Sequence, residues 1–341
     1  MLNKKVVITT GDPAGCGPYI TLKAIEDLGN CGAQFYVIGD RKILSRFDIY
    51  KKISKRITLI DLNTPGIEKL KTGYVSKLSG RASISYLDSA LKIMREYGIK
   101  RLVTAPLSKE AVQLSLASFS GHSEYFAGYF NCRIEMMMVS SKLKTVLFTR
   151  HILFKKVPVF ITKNNLNNTF NLILKSLRSI FKIKHPRIAV ASLNPHAGVN
   201  TFLGKEEKVI DKVIHNFSSN FYGPYPSDSI FTESAIKQYD CIIALYHDQG
   251  MIPFKLLSMK TGVNLTVGLP IIRTSPAHGV ALDIMRSNKK PFASSMVEAI
   301  KLALKLSIPL SEFPWVNSGA GRRPTGALKK DGHGHARGVP V

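Results

Sequence analysis

The chain alternates short β-branched runs with amphipathic helical stretches, and this alternation limits its possible folds more than any other feature. Such alternation predicts an α/β fold with a largely parallel sheet covered by helices. The predicted strands are Lys5–Thr10, Gln34–Ile38, Ile57–Ile60, Arg101–Thr104, Lys144–Phe148, Arg187–Leu193 and Cys241–Leu245. The predicted helices are Tyr19–Leu28, Ser83–Tyr97, Leu166–Ile180, Glu206–Asn216 and Ser294–Leu306.

Length and composition narrow the class of protein. A chain of 341 residues exceeds the usual size of one core, so we expect one large or two medium domains. The composition is 45% hydrophobic and 21% charged, which excludes a mainly disordered chain. No apolar run reaches the roughly 18 residues of a membrane helix, and the four cysteines lack paired spacing. We therefore expect a cytoplasmic protein with no membrane partner.

The formal net charge of +25 raises the question of a polyanionic partner. The lysines are spread along the chain without interleaved aromatic residues or a nucleic-acid motif, so we expect no nucleic-acid partner. A lysine-biased proteome, or attraction of an anionic substrate, explains the charge more simply. Residues 319–341 are basic and lack apolar periodicity, and they predict a disordered tail or a foreign extension after a catalytic body of residues 1–318.

Three histidines each follow a strand-like run in a loop dense with Gly, Pro, Asn and Asp. They are His151, His196 and His247. Loops at the carboxyl ends of parallel strands are where α/β proteins bind ligands. Three imidazoles aimed at one point would form a metal site with open positions for a substrate. The alternative for each histidine is an ordinary polar loop residue.

Cationic and polar residues accompany the third histidine loop. Lys255, Asn264 and Arg273 suit a small, doubly anionic substrate, because arginine offers a planar fork, lysine a point charge and asparagine a donor. Each of them taken alone is more often a surface residue. Earlier in the chain, Ser123 either caps a helix whose N–H groups attract an anion or is a plain N-cap.

The first loop, Gly11–Pro18, superficially has the glycine content of a dinucleotide fingerprint. Its spacing fails, because Ile20 stands where a third Gly or Ala belongs and Pro18 intrudes. It also lacks the Lys-Ser/Thr pair of a phosphate-gripping loop. We interpret it as a tight turn of a substrate-binding lobe.

Taken together, these stretches resemble the 4-hydroxythreonine-4-phosphate dehydrogenase family of vitamin B6 biosynthesis over roughly residues 4–315. The matching stretches are Gly11–Pro18, Thr104–Ala111, Gly121–Tyr125, Leu193–Gly198, Gly223–Asp228, Tyr246–Lys255, Val263–Arg273 and His278-Gly279. The resemblance implies a two-lobed fold like that of isocitrate and isopropylmalate dehydrogenases, with an interdomain cleft. It also implies NAD or NADP as cofactor and a homodimer with the active site near the dimer interface. We expect the lobes to be residues 1–130 with 285–318, and residues 131–284.

The resemblance assigns roles to individual residues. It implies that His151, His196 and His247 bind a divalent metal, for which zinc, magnesium and cobalt are candidates. It implies substrate binding by His122, Ser123, Lys255, Asn264 and Arg273. Our own candidates for supporting the metal ligands or relaying a proton are Asp228 and Asp248. The chain departs from the family pattern at Tyr19, Ser123, Val199 and Ala277.

The implied activity is a metal-dependent, NAD(P)-linked oxidation of 4-phosphohydroxy-L-threonine. The product is a 3-oxo acid that decarboxylates to 3-amino-2-oxopropyl phosphate, in pyridoxal phosphate biosynthesis. One alternative is a sibling dehydrogenase for a phosphorylated four-carbon sugar acid or a cis-dihydrodiol, although Lys255 and Arg273 favour an anionic substrate. Another is a non-catalytic binding protein, against which the retained histidines argue.

Overall fold

A computed structural model describes residues 4–198, 204–217, 219–287, 289–309, 313 and 315. They separate into two compact units, one of residues up to 131 and from 269 onward, the other of residues 132–268. The predicted tail, 319–341, lies outside the described residues. Within the described ranges, no helix combines the length and the apolar character needed to cross a membrane.

Strands and helices alternate along both units. The strands of the described residues are β1 (Lys4–Thr9), β2 (Ala33–Gly39), β3 (Ile57–Asp61), β4 (Arg101–Thr104), β5 (Glu135–Val139), β6 (Lys144–Leu147), β7 (Ile188–Ala191), β8 (Phe221–Tyr225), β9 (Cys241–Ala244), β10 (Val263–Val267) and β11 (Ile272–Pro276). The α-helices are α1 (Gly17–Asp27), α2 (Arg41–Leu44), α3 (Asp48–Ile53), α4 (Lys77–Glu96), α5 (Lys109–Gln113), α6 (His122–Phe130), α7 (Val157–Phe160), α8 (Lys163–Ser179), α9 (Lys205–His215), α10 (Ser227–Ile230), α11 (Glu233–Ile236), α12 (His247–Ser258), α13 (Leu282–Arg286) and α14 (Ser294–Lys305). Short 3-10 helices span Ser54–Arg56, Ile67–Lys69, Phe154–Lys156 and Pro195–Ala197.

The first unit contains a parallel sheet in the order β3-β2-β1-β4-β11. The chain moves outward from β1 through β2 to β3 and then returns to the other side of β1 with β4. This reversal between β1 and β4 is a topological switch point, where open α/β sheets place their ligands beyond the carboxyl ends of the strands. The loop that follows β1 is Gly11–Pro18.

The second unit contains a mixed sheet in the order β10-β5-β6-β9-β7-β8. Its first two pairings are antiparallel, whereas β6, β9, β7 and β8 run parallel to one another. The carboxyl ends of these four strands therefore lie at one edge of the sheet. The chain leaving that edge carries His151, His196, Asp228 and His247.

Helix boundaries follow local sequence signals. Helix α8 begins after Thr162, whose hydroxyl accepts a hydrogen bond from the Asn165 N–H at 3.3 Å. Its apolar residues Leu166, Phe170 and Ile173 recur at helical spacing and are fully buried. The predicted helix over 166–180 is thus observed, with its periodic face against the core. The polar residues Thr162–Asn165 form the N-cap and first turn of this helix.

The position of β11 differs from the predicted lobe boundaries. Strand β11 pairs in parallel with β4, with Ile272 opposite Arg101. Residues 269–284 therefore lie in the first unit, whereas the predicted second lobe, 131–284, includes them. The strand was not predicted from the sequence because residues 273–275 are the polar residues Arg, Thr and Ser. In the structure their side chains are nevertheless buried.

Candidate active site

Two of the three predicted metal-binding histidines lie side by side in the second unit. The rings of His151 and His247 have centroids 5.8 Å apart and planes inclined by 38°. The Nδ1 atom of His247 lies 2.7 Å from a carboxylate oxygen of Asp248. A carboxylate on one ring nitrogen fixes the tautomer and leaves Nε2 for a metal ion, which is the usual arrangement of a metal-binding histidine.

The third histidine occupies an unusual backbone conformation. His196 has φ 56° and ψ 25°, in the left-handed region, within the short 3-10 turn Pro195–Ala197. Asn194, two residues before His196, is bound to helix α9: its backbone N–H and its side-chain amide donate to the Glu207 carboxylate at 2.7 and 2.8 Å. A buried carboxylate therefore fixes the chain just before His196, and the left-handed residue turns it sharply.

These residues fit part of a metal site. Two imidazoles on one ion, each nitrogen about 2.1 Å from the metal, hold their ring centroids about 5 to 6 Å apart, which matches His151 and His247. Across the residues that the structure describes, no three His, Cys, Asp or Glu side chains are grouped so that they could hold a metal ion. His196 is thus not gathered with the other two, and its loop continues into 199–203, outside the described residues.

The remaining predicted residues of the second unit differ in their surroundings. Lys255 on α12, Asp228 on α10 and Asp248 on α12 are exposed. Asn264 on β10 is half-buried, and its side-chain N–H donates to the Met136 sulfur at 3.3 Å. Its buried Oδ1 has no hydrogen-bond partner among the described residues, so this oxygen is available to a ligand.

The first unit brings together Arg273, Ser123 and His122. Arg273 is 2% exposed, and its Nε and one terminal nitrogen donate to the Thr104 hydroxyl at 3.1 and 2.5 Å. The other terminal nitrogen donates to the Ser123 hydroxyl at 3.4 Å. A hydroxyl is a neutral partner, so these contacts orient the guanidinium without neutralising its charge.

The charges around Arg273, Ser123 and His122 favour the binding of an anion. Burial lowers the pKa of Arg273 to about 10, opposed by the nearby Glu124, so the guanidinium stays charged at neutral pH. Burial, together with the charges of Arg273 and Lys109, lowers the pKa of His122 well below its usual value. His122 is therefore a neutral imidazole at pH 7. Its buried Nε2 has no hydrogen-bond partner in the described part of the chain.

The loop after β1 is packed against two other loops of the first unit. The Asp12 N–H donates to the Pro106 carbonyl, and the Cys16 N–H donates to the Val280 carbonyl, both at 2.9 Å. A Cβ at Gly17 would lie 2.0 Å from the Thr10 carbonyl oxygen, so only glycine fits there. The loops that follow β1, β4 and β11 are thereby joined at the topological switch point.

The predicted residues thus divide between the two units. The second unit holds His151, His196, Asp228, His247, Asp248, Lys255 and Asn264, and the first holds His122, Ser123 and Arg273. Thr104, Lys109 and Gln249 were not among the predicted site residues. All three lie in stretches that carry the family resemblance, Thr104–Ala111 and Tyr246–Lys255, so membership of those stretches was the available signal.

Comparison with known proteins gives a consistent result. The model of the family described as pyridoxal phosphate biosynthetic protein PdxA matches residues 26–303. A 4-hydroxythreonine-4-phosphate dehydrogenase of Sulfurihydrogenibium sp. (strain YO3AOP1) is 35% identical over 325 residues, which cover 89% of this chain and 98% of the relative. A D-threonate 4-phosphate dehydrogenase of Salmonella typhimurium is 36% identical over 330 residues, covering 90% and 100%.

A solved structure extends the comparison to the fold. The 4-hydroxythreonine-4-phosphate dehydrogenase of Klebsiella pneumoniae superposes with a TM-score of 0.78 at 30% identity, covering 89% of this chain and 98% of that one. The family resemblance read from the sequence and the α/β fold class are therefore confirmed.

Proposed function

Because the chain belongs to the pyridoxal phosphate biosynthetic protein PdxA family, we propose that it is an NAD(P)-linked dehydrogenase of 4-phosphohydroxy-L-threonine. The product is a 3-oxo acid that decarboxylates to 3-amino-2-oxopropyl phosphate. The observation that carries the proposal is the buried, charged Arg273, oriented by Thr104 and Ser123 beside the neutral His122. A buried, charged guanidinium that the Thr104 and Ser123 hydroxyls orient suits the dianionic phosphate of this substrate.

Other residues would hold the metal and the remaining substrate groups. His151, His196 and His247 would bind a divalent ion, with zinc, magnesium and cobalt as candidates, and Asp248 would orient His247. When bound, the metal would supply Lewis acidity and the nicotinamide would supply the oxidising equivalent. Lys255 and Asn264 would contact polar groups of the substrate, and Asp228 is our candidate for proton transfer.

We infer that the protein works in the cytoplasm as a homodimer. On α12 and at its C-cap, the exposed side chains Ile252, Leu256 and Met259 recur at i, i+4 and i+7 and form an apolar stripe. The same helix begins at His247, so an interface on this stripe would place the active site near a second copy. Sedimentation of wild type and Leu256→Glu tests the dimer: a monomeric wild type contradicts it.

The assay of function measures NADH or NADPH formation from 4-phosphohydroxy-L-threonine plus a divalent metal. Chelator is expected to stop turnover and added metal to restore it. Single changes of His151, His196 or His247 to Ala are each expected to abolish most turnover, with non-additive effects, because three ligands act as one unit. His185→Ala and His215→Ala, at exposed positions, are the matched controls. Full activity of His247→Ala in metal-free buffer contradicts the metal site.

D-Threonate 4-phosphate is the informative competing substrate. A relative named for it is as similar to this chain as those named for the amino acid. It carries a hydroxyl where 4-phosphohydroxy-L-threonine carries an ammonium group, and both carry the phosphate that Arg273 would bind. The family description, which names pyridoxal phosphate biosynthesis, favours the amino acid. A higher kcat/KM for D-threonate 4-phosphate would reverse this preference.

A further inference from the structure

The second unit contains a buried side-chain amide that the proposed catalytic set does not use. Gln249, the third residue of α12, is 6% exposed. Its Oε1 accepts a hydrogen bond from the Leu245 N–H at 2.5 Å, and its Nε2 donates to the Ser192 carbonyl and to the Ser227 hydroxyl, both at 2.7 Å. The amide uses its acceptor and both donors, so its orientation is fixed by its partners.

Two of these partners belong to the loops that follow β7 and β8. Ser192 also donates through its hydroxyl to the Asn194 carbonyl at 2.9 Å, two residues before His196. Ser227 is the neighbour of Asp228, and its hydroxyl lies 3.4 Å from the Ser192 carbonyl. One side-chain NH₂ group therefore joins the loop of His196 to the loop of Asp228.

The third partner connects the loops that follow β9 and β6. Leu245 precedes His247 by two residues, and its N–H is held by Gln249. The Leu245 carbonyl accepts from the Thr149 backbone N–H at 3.2 Å and from the Thr149 hydroxyl at 2.6 Å. Thr149 precedes His151 by two residues. The network around Gln249 thus extends to all three histidine loops.

The chemistry of the amide is specific to this position. A glutamate has the same shape but, when ionised, has no donor, so its carboxylate would face the Ser192 carbonyl and repel it. A methionine has a similar length but would leave the Leu245 N–H and the Ser192 carbonyl buried without partners. Only a side chain with one acceptor and two donors satisfies the three loops together.

We propose that Gln249 is the positioning residue of the metal site: it sets the relative positions of the loops that carry His196, Asp228 and His247. Gln249 acts through backbone groups and contacts neither metal nor substrate. The inference rests on the proposed function, because it requires these histidines to bind one ion. Residues that orient metal ligands typically change metal affinity or activity by about 10- to 100-fold when they are replaced.

The test measures Co²⁺ binding to the metal-free full-length protein by visible absorption. Gln249→Met and Gln249→Glu are expected to raise the Co²⁺ dissociation constant by about 10- to 100-fold and to alter the d–d spectrum. The control is Gln238→Met, the same substitution at an exposed glutamine of the second unit, which is expected to match wild type. In turnover, kcat per folded enzyme is expected to fall while KM for the phosphorylated substrate changes little. The folded fraction is measured by far-UV circular dichroism, because unfolding alone would also lower the apparent kcat at constant KM.

A hydroxyl series covers the case in which the Gln249 variants do not fold. Ser227→Ala removes one acceptor of the amide, whereas Ser227→Thr keeps it, so weaker Co²⁺ binding by the alanine variant and rescue by threonine support the inference. Wild-type affinity and spectrum in Gln249→Met, while His247→Ala loses Co²⁺, overturn the positioning role and leave the metal site standing. Wild-type Co²⁺ binding by His247→Ala overturns the metal site itself.

Discussion

At the scale of single residues, the cluster of Arg273, Ser123 and His122 in the first unit combines one charged side chain with two neutral ones. Arg273 keeps its charge at neutral pH because its pKa, although lowered by burial, is about 10, and His122 stays neutral because burial and two cations oppose its protonation. A neutral imidazole beside a guanidinium can accept or donate a hydrogen bond without adding charge. The sequence showed the residue types but not this division of roles.

The charge of Arg273 is expected to dominate substrate affinity. Arg273→Ala should raise KM at least about tenfold, because a hydrogen bond to a charged group contributes about 1.5–3 kcal/mol. The KM of Arg273→Lys should lie between those of wild type and Arg273→Ala, since lysine keeps the charge but loses the planar fork of the guanidinium. Lys255→Ala should also raise KM. Arg81→Ala, at an exposed position of α4, is the control, and unchanged substrate affinity in the Arg273 variants would exclude a role in phosphate binding.

The lowered pKa of His122 has a consequence for stability. The folded protein binds this proton less readily than the unfolded chain, so stability should be greatest above about pH 6.5 and should fall as the pH drops below that value. His122→Asn removes the group and should flatten the fall in Tm between pH 7 and 5. His185→Asn, at an exposed site, should leave the slope unchanged. Equal slopes in wild type and His122→Asn would show that burial does not lower this pKa.

At the scale of elements, sequence patterns located seven of the eleven strands in the described residues and missed β5, β8, β10 and β11. The seven predicted strands each overlap an observed strand, because β-branched runs favour extended backbone, and most of these runs are also buried. Strand β5 was missed because methionines fill it, and α12 because it contains Gly250 and Pro253. A Cβ at Gly250 would lie 2.6 Å from a Leu147 methyl, so glycine lets the helix approach the sheet, which helical propensity cannot predict.

The prediction of site residues from the sequence has the same limit. Individual histidines could be selected because each follows a strand, and the parallel course of β6, β9, β7 and β8 explains why they share an edge. Partners such as Gln249 and Glu207 could not be selected, because their roles depend on hydrogen bonds to backbone groups far away in sequence. Backbone contacts of this kind leave no pattern in the chain.

Helix α9 provides an element-scale prediction. Glu207 is fully buried and accepts hydrogen bonds from the N–H groups of Leu193 and Asn194 and from the Asn194 side chain. Glu207→Gln keeps the size but removes the charge, and should lower the free energy of unfolding by about 1–3 kcal/mol. Denaturant unfolding measures the change. Glu233→Gln, at an exposed residue of α11, is the matched control, and equal effects of the two variants would contradict a special role for Glu207.

At the scale of the whole molecule, the basic C-terminal segment is expected to be dispensable. Residues 319–341 show almost no apolar periodicity, so we predict that the folded body does not depend on them. Truncation after Ser318 should leave turnover within about twofold and leave Tm unchanged. Loss of activity or of solubility on truncation would show that the segment contributes to the folded enzyme.

The interrupted course of the first unit has a consequence for how the protein is made. Strand β4 is synthesised early, but its partner β11 begins 168 residues later, after the whole of residues 132–268. A growing chain therefore has an unpaired edge of β4 until β11 is synthesised, and by then the contiguous second unit has all of its strands. Translation order thus allows the second unit to be completed first. The sheet of the first unit, which contains the earliest-synthesised strands, is completed last.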